Sequence, residues 1–203
     1  MTTFGRFRAV VLCGLAILAT PMALSPGARA QVKTPQAANP QLASPQPAAV
    51  QPGLSIVYFR NTPFDSVQEV VRFGKPGKGS PGAPIPDINA KGGKGDLWES
   101  HGTRFFGVRI DGLIKLEAGS TAFSANSNDG FRLLIGGVQV LEDADVHLDR
   151  IAGPVTVTVA QAGWYPLQLW YFQKRGGASM ELFWQPPGAT ARAPVPPAAF
   201  GHP

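Results

Sequence analysis

Across residues 105–184 the chain is written as short β-rich segments divided by glycine turns, and no amphipathic helical period interrupts them. Phe106, Val108 and Ile110 alternate with Phe105, Arg109 and Asp111, a period of two that puts apolar and polar side chains on opposite faces of a strand. Val155-Thr156-Val157-Thr158-Val159 is β-branched throughout, which suits a pleated, half-buried surface. Further strand-like runs cover residues 120–126, 131–135, 138–141, 164–172 and 178–184. Asp129-Gly130 between two of them reads as a hairpin turn. Closely spaced strands without intervening helices predict an all-β fold, an antiparallel β-sandwich or barrel.

The flanks differ in character. Arg6 and Arg8 precede an apolar run over residues 9–24, broken at Pro21, and Ala28-Arg29-Ala30 forms a small-x-small cleavage site. Residues 1–30 therefore read as a secretory signal peptide, with a periplasmic or extracellular destination for the mature chain. Residues 31–52 are rich in Pro, Ala and Gln and predict a disordered linker. Residues 189–203 are similar and predict a disordered tail. A single domain is expected between them, over residues 53–188. Within it, residues 54–60 are a strand candidate, 64–73 fit a short helix or an irregular strand, and 74–95 read as a long loop.

Cleavage would remove the only cysteine, Cys13, and with it disulfides, thiol catalysis and thiolate zinc sites. It would also remove Arg6, Arg8 and Arg29, leaving 15 basic residues against 13 acidic ones, a net charge of +2. That balance gives no reason to expect nucleic acid as a partner. No later segment is apolar and long enough to span a bilayer.

Several ordered pieces carry a family resemblance. Phe106-Gly107-Val108-Arg109-Ile110-Asp111-Gly112, Ala118-Gly119-Ser120-Thr121-Ala122-Phe123, Ser127-Asn128-Asp129-Gly130-Phe131-Arg132-Leu133-Leu134-Ile135-Gly136-Gly137, Gly163-Trp164-Tyr165-Pro166-Leu167-Gln168-Leu169-Trp170-Tyr171 and Gly177-Ala178-Ser179-Met180-Glu181-Leu182-Phe183-Trp184 follow one another. Together they resemble the protective-antigen fourteen-kilodalton (PA-fourteen) domain family, a jelly-roll-type β-sandwich of secreted toxins, adhesins and glycosidases. In its glycan-binding members two consecutive aspartates hold a calcium ion that in turn holds sugar hydroxyls. Those aspartates fall on Asn128 and Asp129, and a second-loop carbonyl falls near Gln173. The resemblance thus implies Asn128, Asp129 and Gln173 as metal ligands, with calcium as cofactor. Without a metal, a stacking surface near Trp170 and Lys174 is the better candidate for the ligand. Asn128 and Gln173 replace charged or family-typical residues, so one formal charge is missing and the implied calcium site is weak or lost. The alternative is a turn whose side chains only cap the backbone.

Other constellations are less specific. Glu142, Asp143, Asp145 and Asp149 make an acidic loop, but Leu148 and Pro154 stand where a calcium loop needs a glycine and a closing glutamate. His101, His147 and His202 are scattered, and neither a Gly-x-Ser-x-Gly elbow nor a phosphate-binding loop is present. Glu99, Asp111 and Glu181 have no framework that pairs them for hydrolysis. Lys174 and Arg175 fit either a solvated hairpin tip or contact with an anionic partner. The sequence thus predicts an exported, non-catalytic, adhesin-like module that binds polysaccharide or another glycan. The alternative is a structural module of the cell envelope that binds another envelope protein.

Overall fold

A computed structural model describes residues 1–2, 40–93, 96–102 and 104–203. Residues 3–39 fall outside the described residues, and with them nearly all of the expected signal peptide and the first part of the expected linker. In chain order the described elements are β1 (Gln51–Pro52), β2 (Ser55–Phe59), α1 (Val67–Phe73), β3 (Ser80–Pro81), β4 (Asn89–Gly92), β5 (Phe106–Leu116), β6 (Gly119–Asn128) and β7 (Phe131–Ile135). They continue with β8 (Val138–Asp143), β9 (Arg150–Val159), β10 (Gly163–Gln173), β11 (Ala178–Gln185), β12 (Ala193–Pro194) and β13 (Phe200–His202).

The strands form two sheets. The first runs β1-β13-β5-β10-β7-β8, with β2 on β5 and β3 on β2; the second runs β12-β11-β6-β9, with β4 on β11. Every pairing is antiparallel. The long pair β5·β10 is in register from Leu116↔Gly163 to Phe106↔Gln173 and forms the spine of the first sheet.

Strand alternation places the core between the sheets. Val108, Ile110, Leu133, Leu167, Leu169 and Tyr171 come from the first sheet, and Phe123, Ala125, Val157, Met180 and Leu182 from the second. Burying each of the Val, Leu, Ile, Phe and Met side chains among them contributes about 1.5–3 kcal/mol relative to exposure. The opposite face of the first sheet carries a second apolar cluster of Phe59, Phe64, Val67, Val70, Trp170 and Phe172, covered by α1. The 64–73 segment is therefore a helix at its C-terminal end. It is tied down where the Val67 N–H donates to the Ala144 carbonyl (2.9 Å).

Four expectations are corrected. The tail over residues 189–203 is not a disordered arm. β12 pairs with β11, β13 pairs with β5 and β1, and Val195, Ala199 and Phe200 are buried. Proline lacks an N–H, which sheet edges tolerate, so a proline-rich tail can still supply edge strands. The described part of the linker behaves likewise: the Gln41 and Ala43 N–H groups donate to the carbonyls of Gly136 (2.9 Å) and Trp164 (3.0 Å). Among the described residues the packed unit accordingly extends beyond 53–188 at both ends, to Gln41 on one side and His202 on the other. The 74–95 segment is also structured, with Ile85 and Ile88 buried in the core, Leu54 bridged to Ile85, and β4 on the edge of the second sheet.

The fourth correction bears on function. Asp129-Gly130 is not a hairpin turn, because β6 belongs to the second sheet and β7 to the first. The two residues carry the chain across the sandwich. Residues 144–149, from β8 to β9, and 174–177, from β10 to β11, cross in the same way. By contrast Gly136-Gly137 is a hairpin within the first sheet, with positive φ at both glycines (55° and 77°), as a two-residue turn of primed type requires.

Candidate functional site

Asp129 stands where the three crossovers meet. Its side chain is almost fully buried: Oδ1 accepts the backbone N–H of His147 (3.1 Å) and Oδ2 accepts that of Lys174 (2.6 Å). The Arg175 N–H also faces this carboxylate. Burial pushes its carboxyl above the usual value of 3.8, and the N–H groups of Lys174 and His147 draw it back only in part. The peptide between Asn128 and Asp129 is cis. Gly130 follows because a side chain there has no room: a Cβ would lie 2.8 Å from the carbonyl oxygens of Asp143 and Ala144 and 2.7 Å from the Phe172 ring.

Two buried neighbours complete the inner layer. The Tyr171 hydroxyl donates to the Asn128 carbonyl and also lies 3.1 Å from Gln173 Oε1. Gln173, with no exposed surface, donates its Nε2 to the carbonyls of Gly176 (3.3 Å) and Gly177 (3.2 Å). These bonds fix the 174–177 crossover from within. Burial raises the Tyr171 hydroxyl well above its ordinary pKa of 10.0, and the negative charge of Asp129 acts in the same direction.

An outer layer presents polar groups to solvent. Asp149 is exposed; it accepts from the Ser179 hydroxyl, from Asn126 Nδ2 (3.1 Å) and from the Asn128 side chain. The Ser179 hydrogen bond is the main reason its carboxyl sits below 3.8. Asn126 Nδ2 also donates to Glu181 Oε2 (2.8 Å), which faces Lys91 Nζ at 3.6 Å. On the 144–149 crossover, Arg150 grips Asp143 through both carboxylate oxygens, and His147 Nε2 lies 3.3 Å from Asp143 without a hydrogen-bond alignment. Val146 and Leu148 on this segment and Ile151 at the start of β9 are exposed apolar side chains.

The expected site residues are only partly assembled. Asn128, Asp129, Gln173 and Lys174 come together. Trp170 does not: it is 6% exposed, its ring stacks on Phe59 (6.4 Å, 12°), and its Nε1 donates to Gln168 Oε1 (2.8 Å). The alternation that turns Tyr171 into the core turns Trp170 to the opposite face, beneath α1, so it offers no platform for a sugar ring. Asn126 and Ser179 are the polar groups that the sequence did not single out, and Asp149 stood out only as part of an acidic loop. Asn126, Asn128 and Ser179 follow from period two once β6 is paired with β11, but that pairing joins segments far apart in the chain.

The donor set does not fit a calcium ion. Calcium seeks six to eight oxygens and gains affinity from ligand charge. Here the one carboxylate among the three expected ligands is already surrounded by backbone N–H donors. Gln173 turns a nitrogen, not an oxygen, to the loop carbonyls, and the Asn128 amide is engaged by Asp149. Among the described residues no group of three or more His, Cys, Asp or Glu side chains is arranged to hold a metal.

The PA14 domain family profile matches residues 50–197. The chain belongs to the PA14 domain family. Among solved structures, the PA14 domain of the MpAFP antifreeze protein superposes with a TM-score of 0.62 at 15% identity, covering 77% of this chain and 93% of that one. A PA14 sugar-binding domain from an RTX adhesin gives 0.63 at 17% identity, over 75% and 99% of the two chains. An engineered Epithelial Adhesin 9 A domain from Candida glabrata, solved with β-lactose, gives 0.58 at 16% identity, over 76% and 89%. No curated protein sequence matches the chain. At these identities the structural likenesses establish the PA14 fold, two antiparallel sheets joined as described above. Among the described residues no helix is long and apolar enough to cross a membrane.

Proposed function

We propose that this PA14 domain is an exported, non-catalytic carbohydrate-binding module whose ligand sits at the crossover end of the sandwich. The observation that carries the reading is the Asp129 clamp. One buried carboxylate holds the 144–149 and 174–177 crossovers against the 129–130 crossover, so the outer polar groups are fixed before any ligand arrives. Asn126 Nδ2 holds the Asp149 and Glu181 carboxylates in place, and their remaining acceptor positions suit the donor side of sugar hydroxyls. Leu148, at 83% exposure, stands next to Asp149 and offers an apolar contact for the C–H face of a ring. Lys174 flanks this rim, while the buried Asn128, Asp129 and Gln173 act from beneath it as positioning residues.

This reading places no calcium ion in the contact, because the residues at the turn do not suit one. The Arg6, Arg8 and residues 28–30 pattern supports export to the periplasm or beyond, toward envelope or extracellular polysaccharide. A glycan array probed in calcium and in EDTA tests the proposal. Binding that is equal in both and lost on Asp149→Ala supports it; an array with no binder overturns it. A second reading, an envelope interaction module, is favoured by the exposed Val146, Leu148 and Ile151, and predicts capture of envelope protein with a blank array.

A further inference from the structure

Phe105 stands at the same end of the sandwich as the Asp129 clamp. Its N–H donates to the Lys174 carbonyl (3.2 Å), its carbonyl accepts from the Thr62 N–H (2.8 Å), and its φ is 55°. Two guanidiniums share its ring: Arg104 Cζ lies 5.5 Å and Arg175 Cζ 5.3 Å from the centroid. Both arginines are exposed. Neither has a carboxylate within ion-pair distance among the described residues, and all 13 acidic residues of the chain are described. Arg109, Arg132 and Arg150 each contact a carboxylate, and Arg60 and Arg192 lie singly over Tyr58 and Phe183, whereas Phe105 carries two guanidiniums on one ring.

Resting on the carbohydrate-binding reading, we infer that Arg104 and Arg175 on the Phe105 ring form an oxyanion-binding subsite, and that the glycan is acidic, carrying carboxylate, sulfate or phosphate groups. A guanidinium held over an aromatic face keeps its N–H donors at its edge, in the fork that suits a planar or tetrahedral oxyanion. The ring contact also reduces the rotamer freedom each arginine loses on binding. The subsite adjoins the polar rim through the backbone, since Lys174 and Arg175 supply the N–H groups facing Asp129. Lys174 Nζ itself is spent on Asp65 and is not part of it.

The test compares dextran sulfate, alginate and unmodified dextran by surface binding, using wild type and the Arg104→Gln/Arg175→Gln double variant, with inorganic polyphosphate as a further arm. Wild type is expected to bind at least one acidic polymer about tenfold or more tightly than dextran, with affinity falling as salt rises. The double variant is expected to lose that preference while its melting temperature and any neutral-glycan binding stay unchanged. Sulfate or uronate as the preferred group separates the two sugar sources. Equal binding of dextran and the acidic polymers, an unaltered double variant, or polyphosphate binding as tight as the best glycan overturns the subsite and leaves the carbohydrate reading standing. Binding of no glycan overturns both.

Discussion

Asp129 and Lys174, 45 positions apart in the chain, are joined by a 2.6 Å hydrogen bond from the Lys174 N–H to Asp129 Oδ2. The other carboxylate oxygen holds the His147 N–H, so one side chain links three passages between the two sheets. The rim of the candidate site hangs on that side chain.

Asp129→Ala should therefore act first on stability. It strands two backbone N–H groups inside the protein, and each buried unsatisfied donor costs about 1–3 kcal/mol. A loss of about 2–5 kcal/mol in chemical denaturation is expected, with faster amide exchange at His147 and Lys174. Wild-type stability in the variant would show that the clamp holds nothing.

Calcium should leave the wild type unchanged. A ligand that binds only the folded state raises the melting temperature by mass action, and at a hundredfold excess over its dissociation constant it adds about 2.7 kcal/mol. Scans in EDTA and in millimolar calcium are expected to coincide, because the amide groups of Gln173 and Asn128 are committed to protein partners. A calcium-dependent rise that disappears in Asp129→Asn would restore the metal to the site.

Two carboxyls near the turn should titrate on opposite sides of 3.8. Asp149 is held below that value by the Ser179 hydroxyl, so its contribution is complete above 3.8 and is lost as pH falls through its lower folded pKa. Asp129 is raised by burial, so its charged form weighs against folding above its folded pKa, and that penalty fades as pH falls toward 3.8. Carboxyl-carbon NMR should find Asp129 protonating before Asp149 on acidification. The reverse order would remove the physical basis given for both shifts.

The strand period was readable from the residues, and the alternation of Phe106, Val108 and Ile110 with Arg109 and Asp111 stands in the folded sheet. The Asn128-Asp129 turn and the Gln173 loop were legible as neighbours only through the resemblance to other PA14 domains. What stayed hidden was which strands share a sheet. Asp-Gly suits a hairpin locally, and no local property distinguishes that from a two-residue crossing between sheets. The same ignorance misplaced Trp170, since two apolar faces, one under the core and one under α1, make both parities of β10 look buried.

The tail was misread for a different reason: composition averages over residues, whereas anchoring needs only a few. Val195 and Phe200 are each 2% exposed, and Phe200 sits opposite Ile114 where β13 joins β5. Phe200→Ala should cost about 3–5 kcal/mol, the usual range for emptying a buried phenylalanine site. Removing residues 195–203 should cost at least as much and leave β1 without a partner, since β1 pairs with β13 alone. Pro196→Ala, outside the buried cluster, serves as the control and should remain within about 0.5 kcal/mol of wild type, as surface changes usually do. Thermal unfolding of the three variants decides it: if the truncated chain melts with the wild type, the tail is an arm after all.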